Sequence, residues 1–481
     1  MGTNETLEKK VTPAQGIGLL VAVAGFIIYC AKIGANTNAV MGLTWIIIWG
    51  FCLIFKYDWN KAVDAAFETI RKSLGALFLL LVIGMLIGTW MAAGTVPTLI
   101  CYGLSVISPS VFLLCTLILT SLMSIFTGTS YGSAASAGVA MMGIGSSMGV
   151  PAGMTAGAIL CGAMFGDKIS PLSDTTNICP ALCGGTLLKH MKSQMYTTLP
   201  AYLICIVAFT IMGLHYTAGT AYDPSIVQET IAVCRENFTI SPLCLVPLII
   251  IIVLLLAKVD VLPASFLGML SGAIIAIALQ GENMKDIIGY MANGFSLQTG
   301  SEVVDKLINR GGLASMAGVV SMGMFAVGMG SMLEHLGVMD VFMNLIIKKI
   351  TSTFRLVVAT MLVSYCGSLM TCTMTSTSIL TAKLMSPLYW KKGIAPEVCS
   401  RTMEDTSTIG GVLIPWHANA IYYSGVLGVA YSQFMPYCIL SYVVPIFSLL
   451  CAFTGIGIFY VNKQGERISK SEWKNLYKEE C

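Results

Sequence analysis

The chain has 481 residues, 56% of them hydrophobic and 11% charged, with a net charge of +3 and a mean hydropathy of +0.80. A soluble domain carries about 25% charged residues, so this composition excludes a water-soluble globular protein and predicts an all-α polytopic membrane protein. No basic block points to a nucleic-acid partner, and the 16 cysteines, including the Cys179–Cys183 pair, read as small hydrophobes in a reduced setting rather than a metal or disulfide framework.

In chain order, residues 1–15 are polar and lack the small-residue cleavage pattern of a signal peptide, so the first apolar run is expected to persist as a span. Runs near 16–33, 39–55 and 74–93 are each long enough to cross a bilayer core. Residues 109–148 read as a hairpin with the tip Thr127-Gly128-Thr129-Ser130-Tyr131-Gly132. Residues 152–190 read as a broken span, apolar at both ends around a polar, proline-containing middle. Further spans are expected near 195–214, 240–258, 262–280 and 313–333. A second hairpin over 355–390 has its tip at 371–378, followed by a second broken span over 396–430 and a last span over 433–461. Stretches 57–72 and 283–297 mix charge with apolar residues at helical spacing and suit helices lying at the interface.

A shift of 244 residues superposes Ser124 on Ser368, Thr127 on Thr371, Thr129 on Thr373, Met141 on Met385, Gly149 on Gly393, Gly166 on Gly410 and Pro171 on Pro415, without a gap. The matches fall on the hairpin tips and broken spans of both halves. The expectation is an inverted repeat of about five transmembrane helices each, with broken helices and two re-entrant hairpins. Its parts are a cytoplasmic segment (1–15), a first repeat (16–215), an extracytoplasmic linker (216–239), a second repeat (240–462) and a cytoplasmic tail (463–481). Charge sets the orientation. With both termini inside, Lys9, Lys10, Lys56, Lys61, Arg71, Lys72, Lys189, Lys192, Lys348, Lys349, Arg355, Lys391, Lys392 and the tail from Lys463 are cytoplasmic. The outside keeps mainly Lys32, Arg235, Lys285, Lys306 and Arg310.

The chemistry concentrates where charge returns. Residues 73–166 contain no Asp, Glu, Lys, Arg or His, and the run Gly166-Asp167-Lys168-Ile169-Ser170-Pro171-Leu172-Ser173-Asp174-Thr175-Thr176-Asn177 then begins. Irregular polar backbone at membrane depth is tolerated only where protein or a cavity surrounds it, and ionisable residues there mark function. Asp167 and Asp174 offer hard oxygen ligands for Na⁺; Ser170, Ser173, Thr175, Thr176 and Asn177 offer neutral ones. Lys168 is placed to pair with one of the acids; the alternative is an Asp–Lys pair that only fastens two helices. In the second half, Glu404 and Asp405 precede a stretch without Asp, Glu, Lys or Arg that lasts until Lys463. Either they face the site or they flank a helix end, with Arg401 as the i,i+4 partner of Asp405. Thr127, Thr129, Thr371 and Thr373 at the tips either line the site or satisfy helix carbonyls. His417, after Pro415-Trp416, is a titratable candidate.

On the 166–177 run, and on Ser400-Arg401-Thr402-Met403-Glu404-Asp405 with Leu413-Ile414-Pro415-Trp416, the chain resembles the NhaC family of Na⁺/H⁺ antiporters, within the ion transporter superfamily. The resemblance extends over nearly the whole chain. It implies the inverted-repeat fold with two re-entrant hairpins, movement of a transport domain against a scaffold, and the homodimer that scaffold domains of this superfamily often form. His417-Ala418 departs from the Asn-Thr expected after the Pro-Trp pair. The family also includes exchangers coupling Na⁺ and H⁺ to malate or lactate, and that change fits such a shift of cargo.

The reading is a secondary active transporter in the cell membrane that exchanges Na⁺ for H⁺, with Asp167 and Asp174 as the shared site. Its partners are the lipid bilayer, Na⁺ and H⁺; no cofactor is expected. The alternative is a Na⁺/H⁺-coupled exchanger of a small organic acid. A channel or scaffold explains the broken helices less well, and no nucleophile elbow, phosphate loop or His/Glu metal pattern supports an enzyme.

Overall fold

With no water in the hydrocarbon core, backbone groups must be satisfied within the chain, which leaves a sequence this apolar with helices. The computed structural model describes residues 11–33, 35–218, 224–300, 305, 308–309, 311–338 and 350–477. Lys9, Lys10, Lys306, Arg310, Lys348 and Lys349 lie outside these described residues. The elements are α1 (Pro13–Lys32), α2 (Thr37–Phe55), α3 (Trp59–Ala92), α4 (Thr95–Val106), α5 (Pro109–Thr127) and α6 (Ser130–Ser133). A π-helical turn (Ala134–Gly138) leads from α6 into α7 (Val139–Ser147). Then come α8 (Ala152–Ile169), α9 (Asp174–Cys183), α10 (Leu187–Ala218), α11 (Pro224–Asn237), α12 (Val246–Leu256), α13 (Val261–Gln280), α14 (Met284–Asn293) and α15 (Leu313–His335). The chain continues through α16 (Thr353–Thr371), α17 (Met374–Lys391), α18 (Pro396–Gly410), α19 (Ala418–Leu427), α20 (Tyr431–Phe434), α21 (Ile439–Thr454) and α22 (Lys470–Leu476). Among the described residues, 7 helices are long and apolar enough to cross a membrane, or up to 9 if each of two bent pairs is one span. This is an all-α polytopic membrane protein.

Both expected hairpins and both broken spans are present. α5 and α16 are each 19 residues long and end in left-handed caps, at Gly128 and Cys372. α8 breaks at Ser170 and resumes at α9. α18 runs through a 3₁₀ turn (Gly411–Leu413), breaks, and resumes at α19. The starts of α5 and α16, of α8 and α18, and of α9 and α19 all stand 244 residues apart. In each half the hairpin tip docks on the break. Ser170 donates to the Ile125 carbonyl at 2.7 Å, and Trp416 Nε1 donates to the corresponding Leu369 carbonyl at 2.9 Å. The Ala418 amide also donates to the Cys372 carbonyl at 2.8 Å.

The close approach of α5 to α8 depends on small residues. A Cβ on Gly166 would lie 2.6 Å from Ser124 Cβ and 2.8 Å from the Ile125 nitrogen, which is rigid backbone. Gly166→Ala is therefore expected to lower stability by about 1–3 kcal/mol through overpacking. Thermal unfolding in detergent checks this against Gly50→Ala, where nothing lies within 4 Å. Equal midpoints would remove the packing argument.

Three boundaries differ from expectation. The stretch 57–72 is not a separate interfacial helix: α3 is continuous over 34 residues, started by Asp58, which caps the Asn60 and Lys61 amides. At 1.5 Å per residue it spans about 51 Å, more than the roughly 30 Å hydrocarbon core, so its charged first turns project beyond it. α10 begins at Leu187, and a polar stripe of its first turns, His190, Ser193 and Gln194, is buried while Leu188 and Lys189 are exposed. The last span stops at Thr454, where Gly455 takes a positive φ of 81° and Gly457 another of 72°. A β-hairpin follows, pairing Tyr460 with Ile468 and Val461 with Arg467. Arg467 binds the buried Glu397 carboxylate at 2.7 Å, and Ala395 donates to the Phe459 carbonyl at 2.9 Å, so this segment is stapled to the start of α18. On α22, hydrogen bonds from the Ser469 amide and hydroxyl hold the exposed Glu472 carboxyl below its ordinary range.

Candidate functional site

α8, α10 and α18 bring together a polar cluster fully enclosed by the chain. The buried Asp and Glu side chains among the described residues are Asp167, Glu397, Glu404 and Asp405; the buried Lys and Arg are Lys168 and Arg401. Glu397 is neutralised by Arg467 at the protein's edge. The other three acids and two bases share one region. Lys168 Nζ pairs with Asp405 Oδ1, both side chains being 0% exposed. The same oxygen accepts Thr197 Oγ1 at 3.1 Å, while Asp405 Oδ2 has no partner. Glu404 Oε2 meets His190 Nε2 at 2.7 Å and also accepts from Gln194 Nε2. His190 Nδ1 lies 2.7 Å from Ser400 Oγ, so both ring nitrogens are engaged. Arg401 is directed elsewhere: its Nη1 donates to the Gly457 carbonyl at 2.8 Å and to Ser193 Oγ at 3.2 Å, and it forms no ion pair with Asp405.

Asp167 sits one residue before Lys168 in the last turn of α8. Its Oδ2 accepts the Ser130 hydroxyl, from the first hairpin, at 2.7 Å. Thr176 Oγ1 stands 3.2 Å from the Asp167 carbonyl, 3.2 Å from the Lys168 carbonyl and 3.5 Å from Glu404 Oε1. A hydroxyl has one proton, so it serves one of these three acceptors at a time. The two carbonyls belong to a helix C-terminus, where the dipole is negative. Oxygens crowded in this way suit a small cation, held by hydroxyl and carbonyl as much as by carboxylate. Among the described residues no group of three or more His, Cys, Asp or Glu side chains is arranged to hold a metal ion by itself.

The remaining expected residues divide. Ser170 binds the tip as described, Ser173 and Thr175 bond to one another at 3.0 Å, and Asn177 is exposed, donating to the Pro171 and Ser173 carbonyls at 2.9 and 2.7 Å. Asp174 is not brought to Asp167. It is exposed in the first turn of α9, where a carboxylate favours the helix N-terminus, and it has no ion pair or hydrogen bond among the described residues. Thr127 bonds to the Met123 carbonyl at 2.8 Å, Thr129 caps the Gly132 amide at 3.3 Å, and Thr371 bonds to Thr377 at 2.8 Å. Thr373 receives Thr377 through its carbonyl at 2.8 Å. His417 is buried and caps α19: its Nδ1 accepts the Asn419 amide at 3.1 Å.

The sequence matches the profile of the Na⁺/H⁺ antiporter family over residues 5–176 and 162–456. The chain belongs to the Na⁺/H⁺ antiporter family. Similar relatives include the malate-2H⁺/Na⁺-lactate antiporter of Bacillus subtilis (strain 168), 37% identical over 428 residues, 89% of this chain and 91% of that protein. The Na⁺/H⁺ antiporter NhaC of Alkalihalophilus pseudofirmus is 33% identical over 456 residues, 94% of this chain and 98% of that protein. The arginine/ornithine antiporter ArcD of Halobacterium salinarum is 30% identical over 458 residues, 94% of each.

For this member of the Na⁺/H⁺ antiporter family, sequence reasoning passed over Ser130, His190, Gln194, Thr197 and Ser400. A signal for three of them was present. His190, Gln194 and Thr197 recur at i, i+4 and i+7, one stripe of a helix that a span starting at 195 would leave partly outside the membrane.

Proposed function

We propose that this chain is a secondary transporter exchanging Na⁺ for H⁺ across the cell membrane, with Asp167, Glu404 and Thr176 at the shared site. One observation carries the reading: Asp167, Glu404 and Asp405 are enclosed with, among the described residues, only Lys168 and Arg401 as buried fixed cations. Such a cluster is one positive charge short of neutral. Buried net charge is unfavourable, so the site is stabilised by one monovalent cation, and H⁺ and Na⁺ compete for the vacancy. Protons have places on Glu404, His190 or Asp167; Na⁺ has the oxygens around Thr176. Orientation follows from lysine and arginine distribution, which supports cytoplasmic termini. The common 244-residue spacing of helix starts supports a repeat, and an odd number of crossings per half would invert the second against the first.

A second reading is supported by the 37% identity to a malate-2H⁺/Na⁺-lactate antiporter: the same cation site driving exchange of a small organic acid. Proteoliposomes loaded at acid pH with a fluorescent pH dye separate the two. Adding Na⁺ outside is expected to alkalinise the lumen without any organic solute, since protons leave as Na⁺ enters. Alkalinisation that requires malate or lactate makes the acid the main cargo. Silence under both conditions sinks both readings.

A further inference from the structure

A cavity of about 530 Å³ lies under the C-terminal element. One wall is the start of α16 (Thr351, Ser352, Thr353); the others bring Lys392 from the loop after α17 and Lys470 and Lys474 from α22. No acidic residue lines it among the described residues. Lys470 is directed inward: a Cβ on Gly455, in the cavity wall, would lie 3.3 Å from its Nζ. Arg355 adds a fourth cation near the α16 wall, donating to Thr351 Oγ1 at 2.7 Å.

The mouth is apolar. Phe453 is 79% exposed and meets Phe354 edge-on with ring centroids 6.3 Å apart. The neighbouring Ile456 is 62% exposed. Trp473 closes the floor, its indole donating to the Lys392 carbonyl at 2.7 Å. Exposed lysines around the cavity and bare aromatic surface at its rim match an amphiphile whose anionic head is bound and whose tails remain in the bilayer. We propose that this cavity binds the phosphodiester head of an anionic phospholipid. A zwitterionic lipid brings its own ammonium into a wall of lysines, whereas a net anion does not. Binding clamps the segment that is stapled to α18 through Arg467–Glu397 and that offers the Gly457 carbonyl to Arg401.

The test uses the full chain, purified and delipidated in neutral detergent, then titrated with phosphatidylglycerol, phosphatidylcholine or inorganic phosphate. Bound lipid is counted by native mass spectrometry and thermal midpoints are recorded. Phosphatidylglycerol is expected to bind selectively. Lys470→Gln with Lys474→Gln should weaken it roughly twenty-five-fold, about fivefold per lysine, and the arginine versions should retain it. Equal binding of both lipids, or an unchanged glutamine variant, overturns the proposal. So does inorganic phosphate that alone displaces the lipid or reproduces its thermal shift, because the site would then belong to free phosphate.

Discussion

Asp405→Asn is expected to destabilise the folded protein by about 3–5 kcal/mol, the largest stability effect of any single change at the cluster. The partner, Lys168, is 0% exposed, and its ammonium would be left without a counter-charge between α8 and α18. The amide oxygen of the new side chain still accepts the Thr197 hydroxyl, so the loss is chiefly electrostatic. The same argument makes a second variant decisive. Removing both charges together, as Lys168→Met with Asp405→Leu, should recover most of the stability, since buried pairs replaced by apolar groups of similar size are often neutral or better. Denaturant unfolding in mixed micelles reads both. A double variant as unstable as Asp405→Asn would mean that the site depends on the carboxylate shape rather than the pair. The double variant removes one positive and one negative charge, so the cluster stays one positive charge short, and Na⁺-driven proton movement that persists in it supports the charge-vacancy argument.

The hairpins and breaks were legible because they are written in local chemistry. Gly128 follows Thr127 at a hydroxyl-rich tip and supplies a φ of 69°; Pro171 and Pro415 sit at the two breaks, where helix continuation is hindered. Partners were not legible in the same way. Lys168 and Asp405 lie 237 residues apart, and no local pattern says that α8 and α18 cross at those positions. The placement of Asp174 was not legible for a related reason: a sequence lists two acids seven residues apart but not that the break at Ser170 leaves the second exposed.

The end of α21 shows the limit from the other side. Hydropathy alone carries a span through residue 461, yet Gly455 and Gly457 both adopt positive φ and redirect the chain into a β-hairpin. That turn delivers the Gly457 carbonyl to Arg401 at 2.8 Å. Arg401 is thereby held away from Asp405 despite the i,i+4 spacing that would pair them on an isolated helix. The burial of α18 over its whole length, from Pro396 to Gly410, explains why tertiary partners override local ones there.

Asp167→Asn and Glu404→Gln are expected to abolish detectable Na⁺-driven proton movement, whereas Asp174→Asn should keep it near the wild-type rate. The asymmetry follows from placement. The Asp167 carboxylate accepts Ser130 across the hairpin at 2.7 Å, and Thr176 stands between the Asp167 backbone carbonyl and the Glu404 carboxylate, whereas Asp174 is exposed at a helix start. Losing a charged acceptor typically removes about 1.5–3 kcal/mol of interaction, so apparent Na⁺ affinity should fall about ten- to a hundredfold even where a variant still cycles. Neutralisation also fills the charge vacancy of the cluster, so neither H⁺ nor Na⁺ is any longer required there. Dye-loaded proteoliposomes over a Na⁺ series give both rate and half-saturation, and size-exclusion profiles confirm that each variant is folded. If Asp174→Asn failed while Asp167→Asn worked, the shared site would lie at the outer end of the break and not in the enclosed cluster. Loss in both aspartate variants with intact folding would instead make the two acids successive stations on one path, Asp174 at the mouth and Asp167 inside.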